Sequence, residues 1–230
     1  MAVGTKAPIT SVVGRTGSGK TVLMGNIILA NIDKDVTFIV YGAGSCEGQF
    51  ETLLPSDIYE RTTNPSFIAR RNGKKCVLIF HGLPTSENFE EFLRSVFHSA
   101  GKGRVCLVLD EAHKKAPNGG NLHPYIDTIC QEGRHQIYVE ATGESWPSHG
   151  VSAIFGFRRF ATIHKTLTTQ TKILFIKKQT AAIDLKTLAN YLDDLTKPMA
   201  HYIRTMKPEN FLRFDDATLY NGVEPLVIFD

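Results

Sequence analysis

The chain has 230 residues, 42% hydrophobic and 21% charged, which excludes a disordered, collagen-like or disulfide-scaffold protein and allows one sizeable core. Its formal net charge of +3, from 26 Lys and Arg against 23 Asp and Glu, falls far short of the basic excess of a protein that coats nucleic acid unaided. No stretch approaches the roughly 18 uncharged apolar residues of a membrane span, and residues 1–14 lack the basic region, apolar run and cleavage site of a signal peptide, so a soluble, non-exported chain is expected.

Short apolar runs without alternation, several followed by helical periodicity, predict parallel strands buried on both faces and hence an α/β fold. In chain order the expected elements are a strand at Ile9 to Val13, a helix at Thr21 to Ile32, and strands at Val36 to Tyr41 and Lys75 to Phe80. A helix at Ser86 to His98, a strand at Arg104 to Leu109 and a helix at Leu122 to Arg134 follow. Strands at Val151 to Phe155 and Lys172 to Lys177, with a helix between them at Arg158 to Leu167, then a helix at Ile183 to Leu195, complete the series. Phe89, Phe92, Leu93 and Phe97 recur at helical spacing, as a helix packed on a sheet requires, and read as core. Lys114 to Asn121, KKAPNGGN, is a loop beyond the Arg104 strand, at the strand end where α/β folds place ligands. Cys46, Cys76, Cys106 and Cys130 form no CxxC pair and read as reduced thiols.

Gly14-Arg15-Thr16-Gly17-Ser18-Gly19-Lys20-Thr21 matches GxxxxGK[ST] in full, after the apolar run ITSVV and before the predicted helix. Glycines at these positions let successive backbone N–H groups turn inward around a phosphate, and the helix N-terminus adds partial positive charge. Lys20 is expected to reach the β- and γ-phosphates of ATP, and the Thr21 hydroxyl to ligate Mg²⁺.

Val105-Cys-Leu-Val-Leu-Asp110-Glu111 is an apolar run closing on two acids, as a P-loop's partner strand should. Successive strand residues point to opposite sides, so Asp110 is expected to hold the Mg²⁺ shell while Glu111 turns toward the γ-phosphate and polarises a water as general base. That second acid distinguishes a hydrolase from a small-molecule kinase, whose nucleophile is a substrate hydroxyl. His113 reads as a loop residue outside the site.

The order GRTGSGKT, VCLVLDEAHK, ICQEGRH and GVSAIFGFRRFATIHKTLTTQTKILFIKK, over Pro8 to Leu195, resembles the FtsK–HerA superfamily of DNA-pumping ATPases. Within it, the genome-packaging ATPases of membrane-containing icosahedral viruses are closest in length. The resemblance implies a three-layer P-loop NTPase fold of the RecA-like, ASCE type, with a mainly parallel sheet flanked by helices. It implies a hexameric ring that moves double-stranded DNA, works in the host cytoplasm and at the virion's packaging vertex, and contacts capsid vertex proteins. It also implies an arginine supplied in trans, for which Arg134 is the first candidate and Arg158 and Arg159 follow. The family's sensor strand ends in a glutamine that senses the γ-phosphate, but here the best-aligned strand ends Gly156-Phe157-Arg158-Arg159-Phe160. The other register puts the sensor strand at Gln136 to Ser145; the later one is preferred and makes Ile137 to His149 an insertion.

Residues 1–196 are therefore expected to form the ATPase core, and residues 197–230, which carry no motif, an extension packed on it or on a neighbouring subunit. Arg70-Arg71 and Lys74-Lys75, flanking a turn at Asn72-Gly73, and Lys114-Lys115 are candidate DNA contacts, because a ring shares phosphate contacts among its subunits. Two other readings remain open: an assembly or secretion ATPase acting on protein, and a nucleotide-gated binding protein without turnover.

Overall fold

The structure is a computed structural model that describes residues 8–43, 48–115, 120–132, 136–139, 143–147, 149–192, 196–215, 218–221, 226 and 228–229. Its elements run β1 (Ile9–Val13), α1 (Lys20–Ala30), β2 (Thr37–Tyr41), β3 (Tyr59–Thr62), β4 (Val77–Phe80), α2 (Ser86–Ala100), β5 (Val105–Leu109) and α3 (Pro124–Glu132). There follow β6 (Gln136–Val139), β7 (Glu144–Pro147), β8 (Val151–Phe157), α4 (Lys165–Gln170), β9 (Ile173–Ile176), α5 (Ala182–Leu192), α6 (Lys197–Thr205), β10 (Leu212–Asp215) and β11 (Thr218–Asn221).

Nine strands form one sheet in the order β11-β10-β9-β1-β8-β5-β2-β4-β3, parallel from β9 to β3, with β10 and β11 antiparallel at one edge. Every residue of β1, β2, β5 and β8 is buried, as strands covered on both faces must be. One face carries α1 through Leu23, Met24, Ile27 and Ile28. The other carries α2 to α6, where Phe89, Phe92, Leu93, Val96 and Phe97 of α2 form the expected stripe. Thr85 caps α2 by accepting from the Asn88 amide at 3.2 Å, satisfying one of the end's unpaired donors. The architecture is thus the three-layer P-loop NTPase fold.

β8 lies between β1 and β5, in register Ile9 to Ala153 and Leu109 to Phe155. The strand flanked by the P-loop strand and the acidic strand is therefore the later of the two candidate sensor segments. The earlier segment folds as the hairpin β6–β7, a separate two-stranded sheet, so it is an insertion ahead of β8.

The sequence reading did not anticipate β3, β10, β11 or α6. Residues 212–215 and 218–221 extend the sheet, because β10 pairs with β9 and β11 with β10. The buried side chain of Asn31, just beyond α1, donates to the Leu226 carbonyl at 2.9 Å and accepts from the amides of Ile228 (3.0 Å) and Phe229 (3.3 Å). Phe229 then meets Phe38 edge-on at 6.0 Å, so the tail enters the α1 side of the core. Cys76, Cys106 and Cys130 are free and buried; Cys46 lies outside the described residues.

Candidate nucleotide-binding site

Parallel strands deliver their C-terminal ends to one edge of the sheet, and the motif residues meet there. Thr16, Gly17, Gly19, Lys20, Thr21, Asp110, Glu111 and Arg158, with Val22 and Gln49, line a cavity of about 390 Å³.

The P-loop leaves β1 through a hydrogen bond from the Gly14 amide to the Phe157 carbonyl and one from the Arg15 amide to the Lys178 carbonyl, each 3.0 Å. It is thereby tied to β8 on one side and to the segment after β9 on the other. A Cβ on Gly14 would stand 2.4 Å from Ser18 Oγ and 2.6 Å from Lys177 Cβ, so close approach demands glycine there. Gly17 (φ 73°) and Gly19 (φ 81°) adopt left-handed backbone, the conformation that opens the turn before α1. Lys20 starts α1 with only 8% of its surface exposed.

The opposite wall rises from β5. Asp110 Oδ2 accepts from Thr21 Oγ1 at 2.6 Å, and Oδ1 accepts from the Glu111 amide at 2.7 Å. Room for this carboxylate depends on Gly156 in β8, where a Cβ would stand 2.3 Å from Asp110 Oδ1 and 2.9 Å from Met24 Sδ. A glycine inside a strand can mark such an approach, a signal the sequence contains. Gln49, just after β2, carries no motif signal and is placed in the cavity by tertiary structure alone.

Glu111 turns out of line with φ 54° and ψ 35°, the sole non-glycine positive φ among the described residues. This re-aims its side chain at the cost of local strain, a feature that gathers at functional sites. Its Oε1 accepts from Arg158 Nε at 2.6 Å and also from Arg158 Nη2, while Oε2 pairs with Lys114 Nζ.

Two of the three trans-arginine candidates are described, and they take different partners. Arg134 lies outside the described residues. Arg158 engages Glu111 of its own chain, and Arg159 Nε is 3.2 Å from Oδ2 of Asp184, a residue 1% exposed whose Oδ1 accepts from the Ala161 amide.

The basic clusters divide too. Arg71 donates to the Lys34 carbonyl, and the Asn72–Lys75 bridge with Gly73 at φ 58° closes the expected turn before β4, at the opposite edge of the sheet from the cavity. Lys115 lies over the rings of Phe89 (4.4 Å) and Tyr41 (5.8 Å), where burial lowers its pKa. Beneath the P-loop, Lys177 is 2% exposed and donates through Nζ to the Pro208 carbonyl; desolvation lowers its pKa, the Glu209 charge opposing.

The donor set fits a magnesium-bound nucleoside triphosphate. Thr21 Oγ1 and Asp110 Oδ2 are adjacent hard oxygens of the kind Mg²⁺ takes, one or two from protein and the rest from water and phosphate. Ser18 Oγ is buried against Gly14 and has no hydrogen-bond partner among the described residues.

No family model matches the chain, and no curated protein has a similar sequence. Solved structures do resemble it. The genome packaging NTPase B204 from Sulfolobus turreted icosahedral virus 2, in complex with ATP-gammaS, has a TM-score of 0.68 at 18% identity, over 96% of this chain and 98% of that one. B204, the DNA-packaging ATPase from Sulfolobus turreted icosahedral virus, has a TM-score of 0.64 at 16% identity, over 96% of this chain and 100% of that one. EssC (ATPases 2 and 3) from Geobacillus thermodenitrificans has a TM-score of 0.51 at 11% identity, over 96% of this chain and 40% of that one. At these identities the likeness establishes the fold alone.

Proposed function

We propose that the protein is an ATP-hydrolysing subunit of a ring-shaped motor that translocates double-stranded DNA, packaging a viral genome into a preformed capsid. The observation that carries this reading is the convergence of the P-loop after β1 and the acid pair after β5 on one cavity, with Thr21 and Asp110 in contact at 2.6 Å. The fold shared with packaging NTPases over nearly the whole of both chains supports the biological setting.

In this reading the backbone amides of residues 14–21 and the Lys20 ammonium bind the β- and γ-phosphates, while Thr21 and Asp110 hold Mg²⁺. The metal, when bound, neutralises charge developing on the phosphate oxygens. Glu111 accepts a proton from water as the water oxygen attacks the terminal phosphorus and the bond to the ADP oxygen breaks. Arg134 remains the proposed trans arginine, and a neighbouring subunit, duplex DNA and capsid vertex proteins are the proposed partners. Residues 197–230 are proposed as an extension of the 1–196 core.

ATP turnover measured with and without duplex DNA, on a sample of known oligomeric state, tests this. Stimulation by duplex, abolished in Lys20→Ala, is the expected outcome. Turnover indifferent to DNA would remove translocation while leaving hydrolysis in place, and affinity unchanged in Lys20→Ala would remove the cradle itself.

A further inference from the structure

Arg158 is the first residue beyond β8, and its position in the cavity results from the strand order that puts β8 between the P-loop strand and the acidic strand. Its backbone is held by buried Gln179, whose Nε2 donates to the Arg158 carbonyl at 3.4 Å. The guanidinium puts two donors, Nε at 2.6 Å and Nη2, on the single oxygen Oε1 of Glu111, while Lys114 takes Oε2. Glu111 is thus clamped by two cations. A carboxylate with both oxygens committed to charge-assisted hydrogen bonds is a weak base and cannot turn an oxygen toward a water.

Arg158 also lines the cavity that holds Gly17, Gly19, Lys20 and Thr21, so a terminal phosphate seated there competes with Glu111 for it. The guanidinium fork suits phosphate oxygens as well as a carboxylate, and a doubly charged terminal phosphate is the stronger competitor. With 42% of its side-chain surface exposed against 13% for Glu111, Arg158 is the partner with room to move. ADP carries no such group.

We propose that Arg158 reads the γ-phosphate within its own subunit. It clamps Glu111 until ATP enters and then transfers its fork to the terminal phosphate, which releases Glu111 Oε1 to orient the water. Arg158 would thereby do in this chain what no glutamine is present at the strand end to do, and it would act in cis. The inference rests on the nucleotide-binding reading of the cavity.

Titration calorimetry with ADP and with ATPγS on the full chain and its variants tests it. Arg158→Ala is expected to leave ADP affinity unchanged and to weaken ATPγS about tenfold to a hundredfold, the range for charged hydrogen bonds. Arg158→Lys, which keeps the charge and loses the fork, should recover only part of the preference. Glu111→Gln, which removes the competitor, should tighten ATPγS and leave ADP alone, and that gain should vanish in the double variant. An unaltered ATPγS-to-ADP ratio in both Arg158 variants overturns the proposal. So does hydrolysis that is lost in Arg158→Ala and recovered on mixing with Lys20→Ala subunits, because it would place Arg158 in a neighbour's site. Failure of the unsubstituted protein to bind either nucleotide would instead overturn the reading of the cavity.

Discussion

The two walls of the cavity are built from different materials. On the β1 side the shape is backbone: left-handed Gly17 and Gly19, amide bonds to Phe157 and Lys178, and no space for a Cβ at Gly14. On the β5–β8 side it is charge: Asp110 braced by Thr21 and the Glu111 amide, and Glu111 clamped by Arg158 and Lys114. A backbone cradle has the same form whatever its occupant, whereas a wall of ion pairs changes when a new anion enters. The first is suited to binding and the second to deciding when chemistry begins.

Substitutions separate the walls. The largest effect is expected from Glu111→Gln, which keeps the shape of the charged wall and removes its proposed base. Hydrolysis should slow by about 10² to 10⁴, the range for loss of a positioned base, while binding persists. A steady-state phosphate-release assay decides it, and intact turnover would assign water activation elsewhere. Gly156→Ala attacks the same wall from behind, because the new methyl would collide with Asp110 Oδ1 and Met24 Sδ. A loss of about 1–3 kcal/mol is expected from overpacking, together with weaker Mg²⁺ dependence of nucleotide binding. An unchanged melting temperature and metal dependence would show that the carboxylate has another seat.

The smallest effect tests the backbone wall through its support. Burial lowers the pKa of Lys177, so the folded chain releases that proton at lower pH than the unfolded chain, whose value stays near 10.5. Between the two values the unfolded state binds more protons and stability rises with pH; below the lowered value both states are charged and the burial cost is fully present. Lys177→Met should flatten that alkaline rise in denaturant midpoints. A rise that persists would belong to another group.

The same division explains what could be read in advance. β1, β2, β4, β5, β8 and β9 stood out because strands buried on both faces are mainly apolar runs without alternation, and the P-loop because its glycines are dictated by local geometry. Tyr59–Thr62 and Thr218–Asn221 are edge strands whose mixed polar residues carry no such signal. α6 escaped notice because, within nine residues opening on Lys-Pro, Ile203 alone is deeply buried. At the site, Asp110 and Glu111 were legible as a pair, but the clamp on Glu111 was not. Arg158 and Glu111 are 47 residues apart and meet only because β8 is inserted beside β5. Gln49 likewise reaches the cavity only through tertiary structure, and what Gly156 makes room for, Asp110 and Met24, is set by neighbouring elements.

The Pro208 carbonyl, which accepts from Lys177 Nζ, also stands 3.0 Å from where a side chain on Gly19 would begin. The connection between α6 and β10 is therefore the floor on which the phosphate turn rests. A chimera that exchanged only this downstream stretch for a relative's would keep every residue that lines the cavity and still alter the proposed grip on phosphate, from underneath.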